Sequence, residues 1–140
     1  MLEEGLTHTS TLVVVREHTA VALGSGDMDV LATPAMMALM ENAAMWAVAH
    51  ALPEGSTTVG GSMTSSHLRP SKIGTLIAAT ALLGKIEGRK LTFRVEARQH
   101  GTVIGEGVHV RFIVDRRRFS PNWDRLNAHY TLPSAPHIIF

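Results

Sequence analysis

One carboxylate, Glu41, stands near the middle of the almost wholly apolar stretch TPAMMALMENAAMWAVAHAL at residues 33–52. Met and Ala neighbours strip water from such a group, which equips it to act as a nucleophile or as a base for water. His67 has an unperturbed pKa close to neutral and the chemistry of a proton carrier. Thr33 offers a hydroxyl, and the Gly60-Gly61 pair lets a backbone N–H come close to a ligand; donors of this kind suit an oxygen that gains negative charge. His109 and Arg111 complete the set of chemically interesting residues. Four of these residues also have a plainer explanation: Glu41 as a structural acid with a partner or a path to solvent, Thr33 as a helix cap, His109 as a structural residue, Arg111 as a solvated cation or the partner of Glu96. There is no G-x-S-x-G elbow, P-loop, G-x-G-x-x-G after a strand or H-E-x-x-H, and the eight His are scattered, without metal-ligand spacing.

The elements that must position these residues follow from pattern. Thr33-Pro34 reads as a helix start, with Thr capping orphan N–H groups and Pro at the first helical position, and Pro53 as the stop. The helix spans about 27 Å and has no broad polar face, so it is buried on most sides. A membrane span over residues 30–53 is disfavoured by a carboxylate near the bilayer centre and a proline at one end. Residues 6–15 alternate as a first strand, and 16–29 make a turn-rich connection around Gly24-Ser25-Gly26-Asp27. Residues 57–69 read as extended, with Val59, Gly61, Met63, Ser65 and His67 on one face; if that face turns to the helix, His67 shares a layer with Glu41. Residues 75–87 are a nearly continuous apolar strand, and 90–100 alternate with Leu91, Phe93, Val95 and Ala97 inward. Residues 103–114 are expected to place Ile104, Val108, Val110, Phe112 and Val114 on the core face and Gly105, Gly107, His109 and Arg111 on the other. The plan is α+β: an antiparallel sheet of five strands, or slightly more, wrapped around one long central helix. It occupies residues 1–118. Residues 119–140 form a docked tail, with a short helix after Ser120-Pro121 signalled by Trp123, Leu126 and Tyr130.

A chain of 140 residues, 45% apolar and 18% charged, fits one soluble globular domain. The absence of Cys excludes disulfides, thiol catalysis and thiolate metal sites, and agrees with a cytoplasmic location. A net charge of +1 without a basic stripe argues against nucleic acid as a partner. The acidic start at residues 1–4, with no apolar run after it, does not read as a signal peptide.

Three motifs carry a resemblance: V-L-A-T-P-A-M-M-A-L-M-E at 30–41, G-x(6)-H from Gly60 to His67, and G-x-H-x-R from Gly107 to Arg111. On these the chain resembles the hotdog-fold acyl-CoA thioesterases, most closely the fluoroacetyl-CoA thioesterase group, over residues 6–115. The resemblance implies hydrolysis of an acyl-CoA to a carboxylic acid and free CoA, with no cofactor beyond the CoA of the substrate. It implies catalytic positions at Thr33, Glu41 and His67 and thioester contacts at Gly60 and Arg111. It also implies a homodimer through the edge strand at 57–69, with Thr33 of one chain brought toward His67 and Glu41 of the other. Thr33 and Glu41 stand about 12 Å apart on one helix, too far to grip one thioester in cis. Residues 16–35 contain no Phe, Tyr or Trp and are shorter than the aromatic lid of the fluoroacetyl-selective enzyme, so no strong preference for fluoroacetyl-CoA is expected. Two other readings are a non-catalytic dimeric acyl-CoA binding module and a hotdog enoyl-CoA hydratase or dehydratase, which would place its acid and His differently.

Overall fold

The computed structural model describes residues 1–120. Strands β1 (Thr7–Val13), β2 (Ser56–His67), β3 (Leu76–Glu87), β4 (Lys90–Gln99) and β5 (Thr102–Asp115) form one antiparallel sheet in the order β1-β3-β4-β5-β2. The residues between β1 and the long helix fold as a 3-10 turn (Arg16–His18) and the short helix α1 (Ala20–Leu23). The long helix, α2 (Thr33–Ala49), packs on the inner face and touches all five strands. It ends three residues before the expected limit, with His50 as C-cap. A four-residue helix, α3 (Arg116–Phe119), follows β5 where the sequence reads as a charged break; Asp115 caps it by accepting from the Arg118 N–H at 3.0 Å. The helix expected after Ser120-Pro121 lies outside the described residues.

Alternation works where it was clean. Ile77, Ala79, Ala81 and Leu83 of β3 and Leu91, Phe93, Val95 and Ala97 of β4 are buried against Met36, Leu39, Met40 and Ala43 of α2. Removing that much apolar surface from water is the main favourable term in folding. One polar pair lies inside this core: Ser10 Oγ donates to Asn42 Oδ1 at 2.7 Å, which ties β1 to α2 and fixes the roll of the helix.

In β5 the alternation expected from sequence is inverted. His109 and Arg111 point inward, 1% and 6% exposed, while Val108 and Phe112 are 46% and 40% exposed on the outer face. The cause is a bulge. Ala97 pairs with Gly105 but the next residue, Arg98, pairs with Val103, so Ile104 is an extra residue that shifts every later side chain to the opposite face. A second bulge in β2 has the same effect: Gly60 pairs with Arg111 and Ser62 with Val110, leaving Gly61 over. Thr58 therefore turns inward on the same side as Met63 and His67, contrary to the face assigned to it by simple alternation.

The inward phase of β5 leaves Gly105 and Gly107 facing β2 and the start of α2. A Cβ on Gly105 would collide with the Met36 thioether, and one on Gly107 with the Thr64 carbonyl and the Ser65 Cα and Cβ. Backbone cannot yield as a side chain can. Gly107→Ala is therefore expected to destabilise the fold by about 1–3 kcal/mol, the usual scale of overpacking. Urea denaturation reads this as a lower midpoint at unchanged slope; an unmoved midpoint would show that β2 and β5 are not pressed together there.

Candidate functional site

Two groups of polar side chains lie on the inner side of the sheet near its β2 edge. The first joins Thr33, at the start of α2, to His67, at the end of β2: Thr33 Oγ1 and His67 Nδ1 are 2.8 Å apart. Thr33 is therefore not the helix cap. The N-cap is Ala32, which has no capping side chain and is held instead by its N–H to the His18 carbonyl at 2.8 Å. Thr33 is already the first helical residue, so its hydroxyl is free to meet the imidazole. His67 Nε2 is buried and has no hydrogen-bond partner among the described residues. Burial holds the pKa of His67 below its ordinary 6.5, so the ring is neutral near pH 7 and can take a proton. A groove of about 330 Å³ opens beside the pair, lined by Ala20, Val30, Leu31 and Arg69 among others.

The second group gathers around Glu41. Its Oε2 lies 3.5 Å from the Arg111 NH1 nitrogen and 3.8 Å from His109 Nε2. Gly60 is pressed against the same oxygen: a Cβ there would stand 2.6 Å from it. Only glycine leaves the carboxylate in place. Glu41 is not the deeply buried acid that the apolar helix suggested, since its side chain is 44% exposed on the flank of α2 that faces β2. Arg111, by contrast, is not an outer-face cation and does not pair with Glu96, which instead binds Arg98 at 2.8 Å. Its Nε donates to Thr58 Oγ1 at 2.8 Å, NH2 to the Thr58 carbonyl at 2.9 Å, and NH1 approaches His109 Nε2 at 3.1 Å. Burial lowers the pKa of Arg111 and Glu41 opposes that shift; an arginine stays charged regardless.

Thr33 and His67 are thus brought together, Glu41, Gly60 and Arg111 are brought together, and the two groups stay apart. Neither Thr33 nor His67 makes a hydrogen bond or ion pair with Glu41. Gly60 and His67 are about 20 Å apart along the strand. The expected division set Thr33 against His67 and Glu41 of another chain; within the single chain, Thr33 meets His67 of the same chain. Thr58 was not foreseen, and the signal that finds it is positional, two residues before Gly60 and opposite Ile113 in the ladder, next to Arg111. His109, expected to be structural, belongs to the Glu41 group.

The family model for the fluoroacetyl-CoA-specific thioesterase matches residues 14–117 of the chain. A fluoroacetyl-CoA thioesterase from Streptantibioticus cattleyicolor is 34% identical over 92 residues, and the match spans about two thirds (66%) of each chain's length. A crystal structure of a single-substitution variant of the fluoroacetyl-CoA-specific thioesterase FlK, in complex with fluoroacetate and CoA, is similar with a TM-score of 0.80 and 30% identity, over 85% of this chain and 100% of that one. A hot-dog-like protein from Thermanaerovibrio acidaminovorans shares the fold, with a TM-score of 0.77 at 21% identity over 87% of this chain and 91% of that one.

The histidines make stability depend on pH. His8, His67 and His109 all have pKa values lowered from 6.5, with burial the largest cause in each. Below that value the unfolded chain binds protons that the native chain does not, so stability falls as pH falls. Urea midpoints measured from about pH 7.5 down to about pH 5.5 should decline, and the decline should be shallower in His67→Asn. Midpoints that rise on acidification would contradict the neutral, buried state of these rings.

Proposed function

Since the chain belongs to the family of fluoroacetyl-CoA-specific thioesterases and is a thioester hydrolase, we propose that it cleaves a small acyl-CoA to the free acid and CoA at a site shared between two copies of the chain. The substrate is the thioester and water, with no cofactor, and the location is the cytoplasm. Glu41 acts as the nucleophile on the thioester carbon or as the base for water, and either role needs its charge. His67 carries the proton, given to the departing thiolate or taken from water. Thr33 holds the imidazole through Nδ1 so that the free Nε2 faces the reacting atoms. Gly60 and Arg111 offer N–H groups to the carbonyl oxygen as it gains charge.

The observation that carries the shared site is the separation of the two groups along an edge strand of the sheet. Among the described residues, β2 pairs with β5 on one side only. Antiparallel pairing of β2 with its twin, about a two-fold axis between Met63 and Thr64, sets Gly60 and Glu41 of one chain opposite the partner's His67 and the partner's Thr33. Two equivalent sites result. The half-exposed flank of α2 around Glu41 would then be covered by the partner, which supplies the low-polarity surroundings that a single chain does not.

Hydrolysis of a panel of acyl-CoAs, followed by free thiol release, tests the activity. Turnover is expected with wild type and not with Glu41→Gln, which keeps the volume and loses the charge. Because residues 16–35 carry no aromatic side chain, fluoroacetyl-CoA should not be preferred to acetyl-CoA by several orders of magnitude. Near-normal turnover by Glu41→Gln would remove its catalytic role.

Mixing variants tests the partition. When Thr33→Ala and Glu41→Gln chains exchange subunits, each mixed dimer regains one intact site, so random pairing restores about a quarter of wild-type activity. Thr33→Ala mixed with His67→Ala restores nothing, because both lesions fall in the half supplied by one chain. Recovery in the second mixture would mean that Thr33 and His67 serve different sites.

A further inference from the structure

Arg111 has five N–H donors, and three are committed to protein acceptors: two to Thr58 and one, on NH1, to His109 Nε2. The tautomer of His109 follows from its other contact. Nδ1 lies 2.7 Å from the Ser62 carbonyl, an oxygen that can only accept, so Nδ1 carries the hydrogen and Nε2 presents a lone pair to Arg111. Ser62 stands at the β2 bulge, beside the extra residue Gly61. The bulge, the imidazole and the guanidinium thus form one rigid chain of contacts that ends at Glu41.

At that end the geometry is unusual for a buried arginine beside a carboxylate. NH1 stops 3.5 Å from Glu41 Oε2, beyond the range of a direct N–H···O bond. An arginine free to choose would close on the carboxylate in a charge-assisted bond. We infer that His109 is a positioning residue that, with Thr58, holds Arg111 off Glu41, so that the cation stays beside the carboxylate without occupying the lone pair that the reaction uses. The inference rests on the catalytic reading of Glu41 above. Burial keeps His109 uncharged near neutral pH, the Ser62 carbonyl opposes that shift, and Arg111 favours the uncharged ring; a protonated ring would have no lone pair for NH1.

Substitutions that mimic one ring nitrogen at a time separate this role from mere packing. Gln at 109 reaches as far as Nε2 and can still accept from Arg111, whereas Asn reaches only as far as Nδ1 and can serve only Ser62. With acetyl-CoA, or the best acyl-CoA of the panel, His109→Asn should lower kcat by about tenfold to a hundredfold, the scale of an ångström misplacement at a reacting centre. KM should move less than kcat, and His109→Gln should recover most of the loss. Melting temperatures of the two variants are compared alongside. Thr58→Val and Thr58→Ser read the other side of the guanidinium: Val, which lacks the acceptor, should lower kcat and Ser should not, which keeps the test decisive if a His109 variant fails to fold. Equal kcat in His109→Asn and His109→Gln, or equal kcat in the two Thr58 variants, overturns the inference while an inactive Glu41→Gln leaves the catalytic reading standing. An active Glu41→Gln removes that reading and this inference with it.

Discussion

A guanidinium under a sheet must find an acceptor for nearly every N–H, because water that would serve it outside is excluded. Arg111 meets that demand through Thr58, His109 and the nearby charge of Glu41. Much of the inner face follows from it. Thr58 must face inward, which the Gly61 bulge allows, and His109 must share the face of Arg111, which their spacing on β5 guarantees. Glu41 must come within Coulomb range, and the Ser10–Asn42 bond sets the roll of α2 that turns the preceding residue toward β2 and β5. Position 60 must have no side chain, or the carboxylate would be displaced.

Much of this frame was legible in the residues. The apolar run from Pro34 gives α2, the strict alternation from Leu91 to Ala97 gives β4 and its inward side, and turn glycines separate the strands. The motif positions Thr33, Glu41, Gly60, His67 and Arg111 were also visible, as types at spacings. What misled was phase. A single extra residue is invisible to a pattern of period two, so Ile104 carried the alternation of β5 across a bulge onto the wrong face, and a buried arginine read as a solvated one. Thr33 misled differently: a Thr before Pro is a capping signal, but the helix begins one residue earlier than that signal assumes and the hydroxyl goes to His67. The exposure of Glu41 could not be read from an apolar helix either, since a helix without a broad polar face does not show which flank the sheet leaves uncovered.

Strand β2 has no charged side chain and is built largely of small hydroxyl residues. Ser62, Thr64 and Ser66 line its exposed side, and Gly60 and His67 mark the two ends of the polar stretch. Such a strand offers backbone N–H and C=O groups with little side-chain bulk in the way, which suits close strand pairing more than it suits burial in a core.

The hairpin between β4 and β5 is closed by two residues with positive φ, His100 at 48° and Gly101 at 76°, which fixes Gln99 opposite Thr102. From there the bulge at Ile104 decides which way the strand faces. The residues left outside, Val108, Val110, Phe112 and Val114, spell a better hydrophobic stripe than the Gly105, Gly107, His109 and Arg111 that go in. The sequence therefore encodes a decoy: slipped by one residue, β5 would bury four apolar side chains and put the histidine and arginine into solvent. Burial alone would favour the decoy. The native register prevails through the tight turn, the glycine fit against β2 and the acceptors waiting for Arg111, so this strand carries a built-in conflict between the rules of folding and the needs of the site.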